Sequence, residues 1–309
     1  MGLPVGVFPM LQQFSDKNKD LIVSINGVLV HRDKAGISPF DSAVQGGDAV
    51  WEGLRLYNDR IFRLREHLDR LRDSALALAF RDIPTHEAIV GHLRAVLAAN
   101  GMRDGVHVRL TLTRGVKYTS GMDPRINNAG PTLIILPEWK PPVYSSGGIR
   151  LITSTMRRPG PDVMDPKIHH CNLINSILAK IQANTAGADD ALMLDSRGFI
   201  AETNATHVFL VSHGVVLTSH VHACPEGITR AVVIDLCRAN GIPLEVRDLS
   251  LSEAYRADEM FCTGTMGELT SVLELDSRRI GTGEPGPLTQ QLSRLFRAKT
   301  ASEGELVVG

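Results

Sequence analysis

Residues 201–211, "AETNATHVFLV", read as a strand that carries one carboxylate, Glu202, among small residues. Residues 226–236, "EGITRAVVIDL", read as a helix opened by a glycine, with the hydroxyl of Thr229 in its first turn. The first N–H groups of a helix have no partner within it, and the helix dipole adds partial positive charge there, so such a start favours an anion. A buried acid nearby can pair with a protonated ring nitrogen. Phosphate cradle and pyridinium partner together are what a protein must supply to pyridoxal 5′-phosphate (PLP), whose ring acts as an electron sink.

The elements that would position these groups follow from pattern and punctuation. Residues 21–31 read as two strands around an Asn26-Gly27 hairpin turn, and a second hairpin turns at Asn58-Asp59. An amphipathic helix spans 65–80, with Leu68, Leu71, Ala75 and Leu78 on one stripe. A second covers 85–100, N-capped by Thr85 and stopped at Gly101. Strands follow near 105–114 and 131–137. The stretch "PEWKPPVYSSGG", 137–148, breaks the pattern with three prolines and a Ser-Gly cluster and reads as a linker. Beyond it come a strand at 149–157, helices at 172–187 and 227–240, a strand at 243–248 and a helix near 287–298. The reading is α+β with two domains, 1–138 and 149–309, joined by 139–148.

Composition narrows the partners. A chain of 309 residues, 43% hydrophobic and 22% charged, can bury a large core. Its net charge of −1 gives no reason to expect nucleic acid or an anionic membrane as partner. Four cysteines, at 171, 224, 237 and 262, show no CxxC spacing and suit a reducing cytoplasm. The start has no charged region followed by an apolar core, and Met1-Gly2 is a poor myristoylation match.

Several blocks in fixed order carry a family resemblance. "GGDAVWEGLRLYNDRIFRLREHLDRLRDSA" (46–75), "ETNATHVF", "GITR", "ADEMFCTGTMGE" (257–268) and "GPLTQQL" (286–292) resemble the class IV aminotransferases, and most closely their branched-chain members. The resemblance implies the fold-type IV arrangement of the D-amino-acid aminotransferase kind, a homodimer, PLP, and amino transfer between an amino acid and a 2-oxo acid. The same family also holds aminodeoxychorismate-type lyases, so a lyase is an alternative. A third alternative is a non-transaminating homologue that binds PLP or another phosphorylated ligand.

Residue by residue, the resemblance implies that Arg70, Ile228, Thr229 and Thr265 hold the phosphate and that Glu202 meets the ring nitrogen. Trp51 replaces an aromatic found near the cofactor, while Arg109 and Arg114 match substrate-carboxylate positions. Each arginine has a plainer reading as a solvated surface charge.

The lysine is where the chain departs. Family members carry a pattern like "DPxIKxxNxLN", whose lysine forms the Schiff base with PLP; here 165–175 read "DPKIHHCNLIN". Anchored on Asn172, the lysine position falls on His169. Lys167 lies two residues earlier, on the same strand face but displaced by roughly 6.6 Å. A bulge would bring Lys167 to the cofactor; otherwise His169 replaces the lysine, and its imidazole offers a proton shuttle but no Schiff base. Lys180 stands two helical turns further on and resembles a surface residue. The family also has Asn where His207 stands, and "LPGITR" where Pro225-Glu226-Gly227 stands. His220, His222 and Cys224 alternate on one extended segment, but ligands two apart on a flat strand do not make a tetrahedron, so no metal is expected.

Overall fold

The computed structural model describes residues 12–144 and 147–309; the Met1-Gly2 start, and Ser145 and Ser146 of the expected linker, lie outside them. Two compact units form. The N-terminal unit comprises Ser15–Pro141 together with Lys167–Leu173 and Ala298–Gly309; the C-terminal unit is built mainly from Pro142–Pro166 and Ile174–Arg297. Between Pro141 and Pro142, inside the proline-rich stretch, the chain passes from the N-terminal to the C-terminal unit. A division along the sequence alone has no place for the short excursion at Lys167–Leu173.

The N-terminal unit is a seven-stranded sheet in the order Glu305–Leu306, Arg60–Ile61, Ala49–Tyr57, Val106–Thr113, Thr132–Trp139, Ile22–Ile25, Val28–His31. Its hairpins turn where the sequence asks them to. Asn26 (φ 50) and Gly27 (φ 80) take the left-handed region, as do Asn58 (φ 46) and Asp59 (φ 67), which suits two-residue turns matched to strand twist. Along Ala49–Tyr57 the core-facing row is Val50, Glu52, Leu54 and Leu56, all fully buried. Helices Leu64–Ala77 and His86–Ala99 supply Leu64, Leu68, Leu71 and Ala75, then Ile89, Leu93, Val96 and Leu97, to the same core. Thr85 caps the second of them, its hydroxyl accepting from the Ala88 N–H at 3.2 Å. The first ends three residues earlier than the stripe suggests, and Leu78 packs on the core from just beyond it.

The excursion at Lys167–Leu173 completes this sheet. The Trp51 N–H donates to the His169 carbonyl at 3.0 Å and the Cys171 N–H to the Ala49 carbonyl at 2.8 Å, with a bridge between Val50 and His170. The Trp51 indole N–H donates to the His170 carbonyl at 3.1 Å. Asn172 donates to the Gly47 carbonyl at 3.1 Å, and a Cβ on Gly47 would lie 2.7 Å from the Asn172 side-chain oxygen. Only glycine admits that approach at φ 66.

The C-terminal unit holds a nine-stranded sheet in the order Leu244–Val246, Val215–Thr218, His207–Ser212, Glu259–Gly264, Glu268–Leu275, Ile149–Arg157, Asp190–Leu194, Ile200–Thr203, with Arg278–Arg279 beside Glu268–Leu275. Helix Ile228–Ala239 makes the crossover between the parallel strands Val215–Thr218 and Leu244–Val246. Helix Pro287–Ser302 is held at its start by Glu259, which accepts from the N–H groups of Leu288 at 3.0 Å and Thr289 at 2.8 Å. Among the described residues no helix is long and apolar enough to cross a membrane.

Candidate active site

In the N-terminal unit a carboxylate sits in the middle of the apolar row. Glu52 is 0% exposed and is held from three directions. Arg70 donates to both its oxygens, Nε to Oε1 and Nη2 to Oε2, each at 2.7 Å. His67 Nδ1 lies 2.6 Å from Oε2, and His169 Nδ1 lies 3.3 Å from Oε1. Burial alone would raise the Glu52 pKa, yet Arg70, His169 and His67 together hold it well below the usual carboxylate range. The helix explains the convergence: His67, Arg70 and Ser74 follow one another at three and four residues and share one face.

His169 is pinned by its backbone and its ring. Its N–H donates to the Ser74 hydroxyl at 3.0 Å. Its Nδ1 lies 2.5 Å from the Trp51 carbonyl oxygen, which only accepts, so Nδ1 carries the proton and Nε2 keeps a lone pair. Burial, only partly opposed by Glu52, lowers its pKa, so the ring is neutral near pH 7. The imidazole stacks on Trp51 with centroids 4.4 Å apart and planes at 25°. The Arg109 guanidinium lies 3.5 Å from the Trp51 ring centroid, reaching it from the neighbouring strand. Arg109 Nη2 also approaches the Cys171 sulfur at 3.9 Å.

The face of the sheet that shows Trp51 is cationic. Arg55 is only 5% exposed, and its Nε and Nη1 have no hydrogen-bond partner. It stands opposite His107 across the strand pair, while Arg109 stands opposite Gly53. Burial, then Lys140, Arg55 and Arg109, push the His107 pKa down to about 3. A buried guanidinium with unused donors is suited to an anion. Arg114, by contrast, is engaged: it grips Asp48 through Nε at 2.6 Å and Nη2 at 3.1 Å, donates to the Leu78 and Ala79 carbonyls, and stacks on Phe80.

The C-terminal unit carries the remaining sequence-chosen residues. Glu202 is 5% exposed and pairs with Arg158, which also donates to the Ser176 hydroxyl at 3.0 Å. Helix Ile228–Ala239 has Gly227 as N-cap, so no side chain caps its first turn, and Thr229 is buried there. A Cβ on Gly227 would meet the His207 ring at 2.3 Å. His207 in turn pairs with Thr263, two residues before Thr265, which lies in the turn between strands. Thr203 and Thr206 bond through their hydroxyls at 2.7 Å, and a Cβ on Gly264 would lie 3.1 Å from Thr206. The unit thus gathers the helix start, the Thr265 turn and the end of the Glu202 strand around His207 and Thr206.

Lys167 is exposed, two residues before the pinned ring. Lys180 pairs with buried Asp190 at 3.0 Å and also donates to the Asp189 carbonyl, an arrangement that neutralises a core acid also bonded by Tyr144 and Asn204.

Comparison with known proteins gives the family. A family model described as amino-transferase class IV matches residues 49–275. The chain belongs to this family. It is 52% identical over 289 residues to the branched-chain-amino-acid aminotransferase-like protein 2 of Arabidopsis thaliana, covering 93% of this chain and 52% of the relative. The chain therefore spans about half the length of that relative. It is 31% identical over 299 residues to the branched-chain-amino-acid aminotransferase of Pseudomonas aeruginosa, covering 90% of this chain and 92% of that one. The structure superposes with a TM-score of 0.85 on the T.th. branched-chain amino acid aminotransferase complexed with N-(5′-phosphopyridoxyl)-L-glutamate, at 33% identity over 91% of this chain and 94% of that chain. The fold is thus the fold-type IV α+β arrangement of the class IV proteins.

Sequence reasoning missed Glu52, His67, Arg55 and Arg158. Glu52 had a signal: it is the one charge in the alternating inward row of Val50, Leu54 and Leu56. His67 had one too, lying on the helix stripe three residues after Leu64 and four before Leu71. Arg158 and Arg55 have no local pattern that separates them from surface arginines.

Proposed function

We propose that this class IV chain binds PLP without a covalent lysine link, and uses it for amino transfer between an amino acid and a 2-oxo acid with His169 as the proton-transferring base. One observation carries the reading: at the position the family gives to lysine stands a partly buried, neutral imidazole whose Nδ1 proton is committed and whose Nε2 accepts. Support for the cofactor comes from the uncapped start of helix Ile228–Ala239 and from buried Glu202, which fit a phosphate and a ring nitrogen respectively. The covalent anchor does not fit, because His169 forms no Schiff base and Lys167 is exposed. Related proteins have been crystallised with a phosphopyridoxyl-glutamate adduct and with pyridoxamine 5′-phosphate.

Bound PLP supplies an electron sink for charge developed at the substrate α-carbon. In this reading Ile228, Thr229 and Thr265 of the C-terminal unit hold the phosphate, and Glu202, oriented by Arg158, meets the ring nitrogen; Arg70, which the resemblance also gives to the phosphate, has Nε and Nη2 committed to Glu52. His169 takes a proton at Nε2, and Glu52 stabilises the imidazolium that results. Trp51 keeps the imidazole plane fixed. Arg55 and Arg109 receive the substrate carboxylate, a role for which Arg114 has few donors left. Borohydride reduction followed by peptide mapping tests the central point. The wild type is expected to bind PLP in equilibrium dialysis yet to yield no reduced adduct, and Lys167→Ala to leave amino transfer unchanged. An adduct on Lys167 would overturn the reading.

Helix Ile174–Thr185 supports a homodimer. Ile174, Ile177, Leu178 and Ile181 recur at i, i+3, i+4 and i+7 and are 64, 50, 40 and 52% exposed, an apolar stripe that a second copy of the chain would cover. Sedimentation should find the wild type dimeric at micromolar concentration and Ile177→Asp largely monomeric. A monomeric wild type would sink this assignment. The four cysteines, without CxxC spacing, support a reducing compartment such as the cytoplasm.

A further inference from the structure

The geometry points to a divalent transition-metal site in the C-terminal unit, formed by His220, His222 and Asp248. It lies on residues with no part in the amino-transfer reading. The sequence offers His220, His222 and Cys224 as alternating ligands on a flat strand, and no metal is expected there. The structure ends the strand at Thr218 and bends 221–224, which frees the two histidines from a flat strand, while Cys224 is turned into the core, 1% exposed. The fold supplies a different third ligand. Strands Val215–Thr218 and Leu244–Val246 run parallel, in a register that pairs Thr218 with Val246. Both chains therefore leave the sheet at the same end. The pairing persists one step further, where the Arg247 N–H donates to the Thr218 carbonyl at 3.1 Å. His220 and Asp248 each stand two residues past the paired positions, and so emerge side by side.

One ligand atom from each of His220, His222 and Asp248 lies within 4.8 Å of the other two. The two imidazole rings are 5.1 Å apart and tilted by 47°, so they converge instead of stacking flat. Bonds of 2.0–2.2 Å to one ion place ligand atoms roughly 3–3.5 Å apart, a closure that rotation of two exposed histidines supplies. Two imidazoles and one carboxylate suit zinc, nickel or copper better than magnesium or calcium, which prefer all-oxygen sets. Three protein ligands leave coordination positions open. His222 also lines a hollow of about 260 Å³ with Asp162, Asp195, Ser196 and Arg197, where water or a small anion could complete the shell.

Arg197 is the built-in competitor. It pairs with Asp248 at 2.9 Å and grips Asp195 through Nε and Nη2 at 2.9 and 2.8 Å. An ion must share Asp248 with that guanidinium or displace it, while Asp195 retains the arginine. Binding would tie the 219–222 segment to the 247–248 segment and so raise the thermal midpoint.

Zinc titration against a chromophoric chelator, on the full chain, tests the site. One Zn²⁺ per chain is expected, with a rise in thermal midpoint that the chelator reverses. His220→Ala, His222→Ala and Asp248→Asn should each weaken binding at least tenfold. Arg197→Met should tighten it several-fold, an effect that loss of structure would not produce. His213→Asn, in an exposed turn outside the cluster, should change nothing. Absence of a one-to-one zinc complex, or affinity that survives both histidine substitutions, would overturn the proposal.

Discussion

His169→Lys is expected to give a yellow protein that retains PLP through gel filtration and carries a borohydride-stable adduct on residue 169. The backbone that presents this residue does not depend on its side chain. The His169 carbonyl accepts from the Trp51 N–H, the Cys171 N–H reaches the Ala49 carbonyl, and Asn172 is fitted against Gly47, so the register survives substitution. A lysine amine here would lie among Glu52, Arg70 and the Trp51 ring. Burial and the neighbouring cation favour its neutral, nucleophilic form, while Glu52 keeps the cation tolerable. A covalent link also supplies what an imidazole lacks: an amine that substrate can displace by exchange and that can later displace product. Amino transfer should become faster, the gain coming from exchange at the covalent link, because the wild-type imidazole already serves as the proton carrier. A natively folded His169→Lys protein that binds PLP but shows no adduct would mean that the residue does not face the cofactor.

That expectation rests on a part of the chain where sequence and fold are unequally legible. The hairpins at Asn26-Gly27 and Asn58-Asp59, the helix cap at Thr85 and the stripe of Leu68, Leu71 and Ala75 were readable because each depends on residues within a few positions. Glu202 and the Gly227–Thr229 helix start were readable as chemical types in order. The network around Glu52 was harder. It joins residues 52, 67, 70 and 169, and no local rule predicts that Lys167–Leu173 returns to extend the first sheet. The same holds for the partners that consume apparent site residues: Arg114 is engaged by Asp48 and Lys180 by Asp190, pairings set by sheet register and helix packing. His220 and Asp248 are likewise neighbours only because two strands, 28 residues apart in sequence, run parallel in register.

The largest loss of stability is expected from Glu52→Gln. An amide of the same shape keeps the packing but removes the negative charge that Arg70, His67 and His169 surround, and it turns an N–H donor towards other donors. Breaking a buried ion pair from one side costs about 3–5 kcal/mol, a large share of the roughly 5–15 kcal/mol that holds a domain folded. Urea denaturation at pH 7 would show the loss as a lower midpoint. Adding Arg70→Met should recover part of it, because the stranded cation is then removed as well. The pH dependence gives a second signature. The Glu52 pKa is depressed in the folded state, so its contribution is complete above the unfolded value of about 4.3 and is lost as pH falls through the folded value. The gap between wild type and Glu52→Gln should therefore be flat from pH 7 to about 5 if Glu52 alone is counted. His169 modifies that limb. Its folded pKa is lowered, so the unfolded chain takes up the proton first and stability declines as pH drops below about 6.5. Without Glu52 the imidazolium loses its counter-charge and its pKa falls further, so the variant should lose stability over a wider acid range than the wild type. A loss below about 1 kcal/mol at pH 7, inside the range of ordinary surface pairs, would show that Glu52 does not anchor the site.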